Sequence, residues 1–137
     1  MLKYLLFFII FQSGFGNPNV DFVECCKRKN IPDGCIKYCT YDIPDFFRKL
    51  HRHPKTSAAI ASVEDECAKL EVVAPYIQCL QKEKDNRDCC ETGGVATEYP
   101  YCLDLCDGTR PISGVDIYLK CQMEGIRDRI VKCGKRA

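Results

Sequence analysis

The sequence predicts an all-α fold: a small disulfide-rich helical domain built from two similar six-cysteine halves. Three observations carry that prediction. Cysteine supplies 12 of the 137 residues, the density of a disulfide scaffold. The cysteines repeat one order, Cys25-Cys26, Cys35, Cys39, Cys67, Cys79 and then Cys89-Cys90, Cys102, Cys106, Cys121, Cys133, each an adjacent pair followed by C-x3-C and C-x11-C. Apolar residues recur at helical steps of three and four, and no stretch shows the sustained apolar–polar alternation of a half-buried strand.

Residues 1–16 are predicted to be a signal peptide. Lys3 gives the positive start, Leu5 to Phe11 the apolar run, and Gly14 and Gly16 the small residues before a cut at Asn17. The run is shorter than the roughly 20 residues of a bilayer-spanning helix, and no later stretch is long enough either. Residues 17–137 are then one secreted, extracellular domain, with halves at about 19–82 and 83–133. Loss of residues 1–16 removes Lys3 and no acid, so the net charge of +1 falls to zero. That balance leaves no field to gather nucleic acid or an anionic membrane, and no nucleic-acid partner is expected. Export delivers the thiols to an oxidising compartment. Six bridges at ~2–4 kcal/mol each compare with a typical total stability of ~5–15 kcal/mol, so reduction should unfold the chain.

In chain order, Asn19 or Asp21 is the expected cap of a short helix carrying Phe22, Val23, Cys25 and Cys26, stopped by Ile31-Pro32-Asp33-Gly34. Pro32 and Asp33 suit the first turn of a second, carrying Cys35 and Cys39. Tyr41-Asp42-Ile43-Pro44 leads to a third, with Phe46, Phe47 and Leu50 apolar. The strongest stripe, Ile60, Val63, Cys67, Leu70 and Ala74, predicts a long helix from Thr56 or Ser57 that Pro75 kinks or breaks. In the second half Gly93-Gly94 should end the helix of Cys89-Cys90, and Gly108 suits the C-cap after Cys102 and Cys106. Leu119, Met123, Ile126, Ile130 and Cys133 form the matching stripe, with Ser113-x-x-Asp116 as a capping box. Aligning Cys67 with Cys121 places Val72 on Ile126, Tyr76 on Ile130 and Ile77 on Val131, which argues for internal duplication.

Geometry restricts the bridges without selecting them. Neighbouring Cα atoms sit about 3.8 Å apart, below the ~4.4–6.8 Å of a relaxed disulfide, so each adjacent pair must reach two partners. Cys35 and Cys39, one helical turn apart, should also bond outward. Cys67 and Cys79 would stand roughly 18 Å apart on a straight helix and must pin different elements. Three equivalent bridges within each half are preferred; the remaining pairings stay open.

No constellation for catalysis or metal binding emerges. There is no C-x2-C, and the only histidines are His51 and His53, read as an exposed loop before Pro54. A secreted phospholipase A2 needs a histidine closely following a cysteine pair; here Lys27-Arg28-Lys29-Asn30 and Glu91-Thr92-Gly93-Gly94 follow instead. Carboxylate pairs among the 19 acidic residues are read as solvated faces. Gly134-Lys135-Arg136 resembles a processing signal but would release only a short tail, so it is read as a frayed terminus. Neither an enzyme nor a cofactor is expected.

These residues together resemble the DB module, a twelve-cysteine extracellular domain known chiefly from nematodes and of unknown function. The likeness runs from Cys25-Cys26-x8-Cys35-x3-Cys39-Thr40-Tyr41-Asp42 through Cys67-x11-Cys79, Asp85-x3-Cys89-Cys90 and Cys102-Leu103-Asp104-Leu105-Cys106 to Cys121-x11-Cys133. It implies a secreted protein whose twelve cysteines form six disulfides. Immunoglobulin or fibronectin type III neighbours in some members imply adhesion or recognition, and Asn86 replaces the histidine expected there. The function expected is non-covalent binding to another extracellular protein, with Tyr38, Tyr41, Tyr99 and Tyr101 as contact residues. The alternative is a carrier that holds a small apolar ligand between helices lined by Ile60, Val63, Leu70, Ile126 and Ile130.

Overall fold

The computed structural model describes residues 16–42 and 66–137. The expected leader (Gly16 apart), the helix of Phe46, Phe47 and Leu50, the histidines and the Ile60–Val63 start of the first stripe all lie outside those residues. The regular elements of the described residues are all helical: α1 (Pro18–Arg28), η1 (Asp33–Tyr38), α2 (Leu70–Leu80), α3 (Arg87–Thr92), η2 (Pro100–Cys106), η3 (Asp116–Gln122) and α4 (Glu124–Arg136), where η marks a 3₁₀ helix. Among them the only β pairing is an isolated bridge between Asp85 and Asp107.

Asn17, rather than Asn19 or Asp21, caps α1; its side chain accepts from the Asn19 amide at 3.0 Å. Pro18 follows at the first helical position, where its missing N–H costs nothing. Phe22, Cys25 and Cys26, at i, i+3 and i+4, face the interior. The helix stops in a left-handed turn: Asn30 has φ 60°, its N–H bonds to Lys27 O, and the Ile31 N–H bonds to Cys26 O at 3.0 Å. This is a Schellman ending, with Ile31 buried beyond it. Pro32 then leads into η1.

Two long helices were expected, and both are interrupted just after their cysteine. Lys69 is extended (ψ 147°) and α2 begins only at Leu70. Met123 is extended (ψ 136°) and α4 begins at Glu124. The stripes therefore split: Leu70, Leu119 and Met123 are exposed, while Ala74, Ile126, Ile130 and Cys133 are buried. In η3 the three-residue period turns Tyr118 and Cys121 inward and leaves Leu119 out. Val115 stands at its N-cap without a side-chain bond, so the expected capping box does not form. Pro75 sits inside α2 and does not end it. The hydrogen bond it removes falls on the carbonyl of exposed Glu71, and burial of Val72, Ala74, Ile77, Cys79 and Leu80 offsets the loss.

α1 packs on α2, α3 on η2 and α4, and α2 on α4. Phe22 centres the first core, with ring centroids of Tyr41 at 4.8 Å and Tyr76 at 5.3 Å. The second core has no phenylalanine and is filled by Val95, Leu105, Ile112, Tyr118, Ile126 and Ile130.

Candidate functional site

Sulfur positions everything else. Cys25 bonds to Cys79, Cys26 to Cys39 and Cys35 to Cys67; Cys89 bonds to Cys133, Cys90 to Cys106 and Cys102 to Cys121. Numbered within each six, both sets pair first with sixth, second with fourth and third with fifth. Cα separations run from 5.6 to 6.7 Å, within the range a disulfide accepts. No cysteine is left free. Each adjacent pair is a branch point: Cys25 ties α1 to the end of α2, while its neighbour ties α1 to the residue after η1.

The seam between the halves rests on a residue that no motif flagged. Gln81, capping the end of α2, is fully buried. Its Nε2 donates to Ile130 O of α4 at 3.2 Å, and its Oε1 accepts from Asn86 Nδ2 at 2.9 Å. Asn86 Nδ2 also donates to Gln81 O, and its backbone N–H bonds to Cys106 O at 2.8 Å. Asn86 thus serves as a structural amide where an imidazole was expected. Gly134 of α4 lies against Leu80, so close that a Cβ would overlap the Leu80 carbonyl oxygen. Lys82 Nζ donates to the carbonyls of Lys135 and Ala137, both at 2.8 Å. The segment after Cys133 is therefore a docked helical end and not a frayed one. Gly108 likewise owes its place to contact rather than capping, since a Cβ would sit 2.8 Å from Gln81 Cβ.

Electrostatics follow from local pairs. Arg87 grips both oxygens of Asp85 at 2.8 and 2.6 Å and holds its carboxyl down at about 2. The Thr109 hydroxyl and amide hold buried Asp107 below the usual carboxylate range. Burial pushes the Tyr76 phenol up to about 12. Burial, with a 2.8 Å bond to Asp104, does the same for Tyr118.

A groove of about 530 Å³ opens between α1 and the end of α2, lined by Asp21, Phe22, Glu24, Cys25, Arg28, Cys79, Lys82 and Glu83. Five of its eight lining residues are charged, and Leu70, Ile126 and Ile130, the described residues expected to enclose an apolar ligand, do not line it. Ile126 and Ile130 are core side chains instead, and Leu70 is exposed. Cys25, Cys79 and Glu83 bring three potential ligand atoms together. The two sulfurs are bonded to each other and offer no thiolate, while Glu83 pairs with Arg28 at 2.7 Å. This is no metal centre.

Of the four tyrosines expected as contacts, Tyr41 is buried and donates to Leu80 O at 2.9 Å. Its place is the core, where Phe22 and the α2 carbonyl both need it. Tyr38, Tyr99 and Tyr101 are half-buried. Apolar exposure concentrates elsewhere: Ile117 (59 %), Leu119 (63 %) and Met123 (49 %) project from η3 and its end. Exposed Asp116, Lys120 and Gln122 surround them. Cys121, bridged to Cys102, anchors the element that carries them.

No helix among the described residues is long and apolar enough to cross a membrane. No curated protein and no solved structure matches the chain. The family model of the DB module matches residues 25–134, a span that takes in all twelve cysteines and the seam between the halves. With its helical elements and six disulfides within that span, the chain belongs to the DB module family.

Proposed function

We propose that this DB module is exported through its N-terminal leader and works outside the cell by non-covalent binding to another protein. Its two six-cysteine halves, on this reading, are copies of one unit. The complete pairing of the cysteines fits an oxidising compartment. The shared order of bridges and the shared restart of the helix after Lys69 and Met123 support duplication.

The exposed apolar side chains of η3 and its end carry the binding reading. Large side chains grouped on a polar surface mark contact sites, because leaving them in water forgoes about 25 cal/mol for each Å² that a partner could cover. Here they stand on a 3₁₀ turn stapled at Cys121, so little ordering entropy is lost on docking. Half-buried Tyr101, with its ring 6.4 Å from that of Tyr118, lies beside the same element. No comparable feature favours the carrier.

Capture tests the reading. Oxidised protein immobilised at increasing density should retain a partner from extracellular fluid saturably. The Ile117→Asp/Leu119→Asp variant, with its helical signal and bridges intact, should retain at least about tenfold less, since two central anchors typically dominate such contacts. Equal retention by the variant, or no saturable partner at all, would overturn it.

A further inference from the structure

We propose a second binding surface: the exposed face of α4 is a site for a linear sulfated polysaccharide. The sequence as a whole is near neutral, with 20 basic and 19 acidic residues, yet five of those bases fall in the thirteen residues of α4 against two acids. The corresponding helix of the first half, α2, carries a single charge, Glu71. Global balance therefore conceals a local concentration.

Helical spacing aligns it. Arg129, Lys132 and Arg136 follow at i, i+3 and i+7, a line about 10 Å long at 1.5 Å per residue. All three are exposed, as is Lys135 beside them. Among the described residues none of these four makes an ion pair; Asp128, the acid on this part of the helix, lies 3.9 Å from Arg127. The opposite face holds the helix rigid: Ile130 is buried, Cys133 is bridged to Cys89, and Gly134 abuts Leu80. A line of unpaired cations on a fixed rod matches a linear chain of anions, and guanidinium groups bind sulfate oxygens in pairs.

The same geometry separates the candidate polyanions. An interfacial membrane helix inserts its apolar face, and that of α4 is occupied by the core. Duplex nucleic acid is gathered by a broad positive field, which a near-neutral chain lacks. Sulfated polysaccharide is the polyanion met outside cells, so the choice rests on the extracellular placement proposed above, whereas the binding measurement itself does not.

Heparin is the probe. Oxidised protein should bind it at moderate ionic strength, and Arg129→Gln/Lys132→Gln/Arg136→Gln should weaken binding by about tenfold or more and flatten the dependence on salt. Arg129→Lys/Arg136→Lys, which keeps the charge and loses the paired guanidinium contacts, should fall between the native chain and the glutamine variant. Lys27→Gln/Lys29→Gln at the end of α1, and the η3 variant, should change it by less than about twofold. Loss of heparin binding with capture through η3 intact would identify α4 alone. Equal affinity in the triple variant would overturn the proposal. So would tighter binding of phosphatidylserine vesicles or duplex DNA than of heparin.

Discussion

The two halves share a skeleton and almost nothing else. In both, the first helix ends in the same left-handed turn, Asn30 at φ 60° and Gly94 at φ 80°, with Ile31 or Val95 buried just beyond. Ile31 N bonds to Cys26 O and Val95 N to Cys90 O, each at 3.0 Å. In both, the last helix restarts three residues after the cysteine bound to the C-x3-C element. Yet α1 has 11 residues and an Asn17 cap, whereas α3 has six and no side-chain cap. The first core is aromatic and the second mainly aliphatic; α2 is nearly uncharged and α4 strongly basic. Cystine fixes backbone geometry independently of what surrounds it, so the side chains between equivalent bridges can differ.

Removing the skeleton gives the largest effect. Full reduction should erase the helical signal of both halves together, because six bridges at ~2–4 kcal/mol each are comparable to or larger than the ~5–15 kcal/mol expected of the fold; ellipticity surviving excess dithiothreitol would break the comparison at its root. Removing one matched bridge per half sharpens it. Cys25→Ala/Cys79→Ala opens a separation of 54 residues and Cys89→Ala/Cys133→Ala one of 44. Each should lower stability by about 4 kcal/mol on loop-closure grounds. Denaturant melts that differ widely would show that one core depends on sulfur more than the other.

Two glycines of α4 should then act in opposite directions. Gly134→Ala forces the helix away from Leu80 O and should cost roughly 1–3 kcal/mol. At Gly125 an added Cβ would meet nothing within 4 Å, so Gly125→Ala should stabilise by about 0.5–1 kcal/mol. Of similar size, Gly94→Ala should cost about 1 kcal/mol at its positive φ, while Asn30→Gly in the other half should be neutral or slightly stabilising. Thermal midpoints of the four variants check the signs.

Helical class and the breaks after α1 and α3 were legible because proline, glycine and cysteine spacing act locally. Element type was not. Leu119 and Met123 fit an α stripe by spacing, but their segment is a 3₁₀ turn followed by an extended residue, and four residues cannot distinguish the two periods. Pro75 reads as a breaker because the burial that offsets it comes from α1 and α4. Tyr41 looked like a surface tyrosine since its partners, Phe22 and Leu80 O, are remote in sequence. Gln81 and Gly134 carry the seam through contacts across about 50 residues, and nothing beside either in the chain announces it.

Titration of the tyrosines offers the finest test of the two cores. Tyr76 in the first half and Tyr118 in the second are both raised to about 12, chiefly by burial; Tyr41 is raised further, again chiefly by burial. A phenol is neutral when protonated, so each fold favours the protonated form. In the unfolded chain these groups ionise near 10. Their contribution to stability is therefore complete below about pH 10 and declines as pH rises toward 12, where the unfolded chain binds fewer protons than the folded one. Phenolate absorbance of the oxidised protein should lag that of the reduced, denatured chain across this interval. Tyr118→Phe should remove part of the lag and leave the share owed to Tyr76 and Tyr41. If the lag vanished wholly with Tyr118, the aromatic core around Phe22 would be open to solvent, and the contrast between the halves would lose its clearest physical basis.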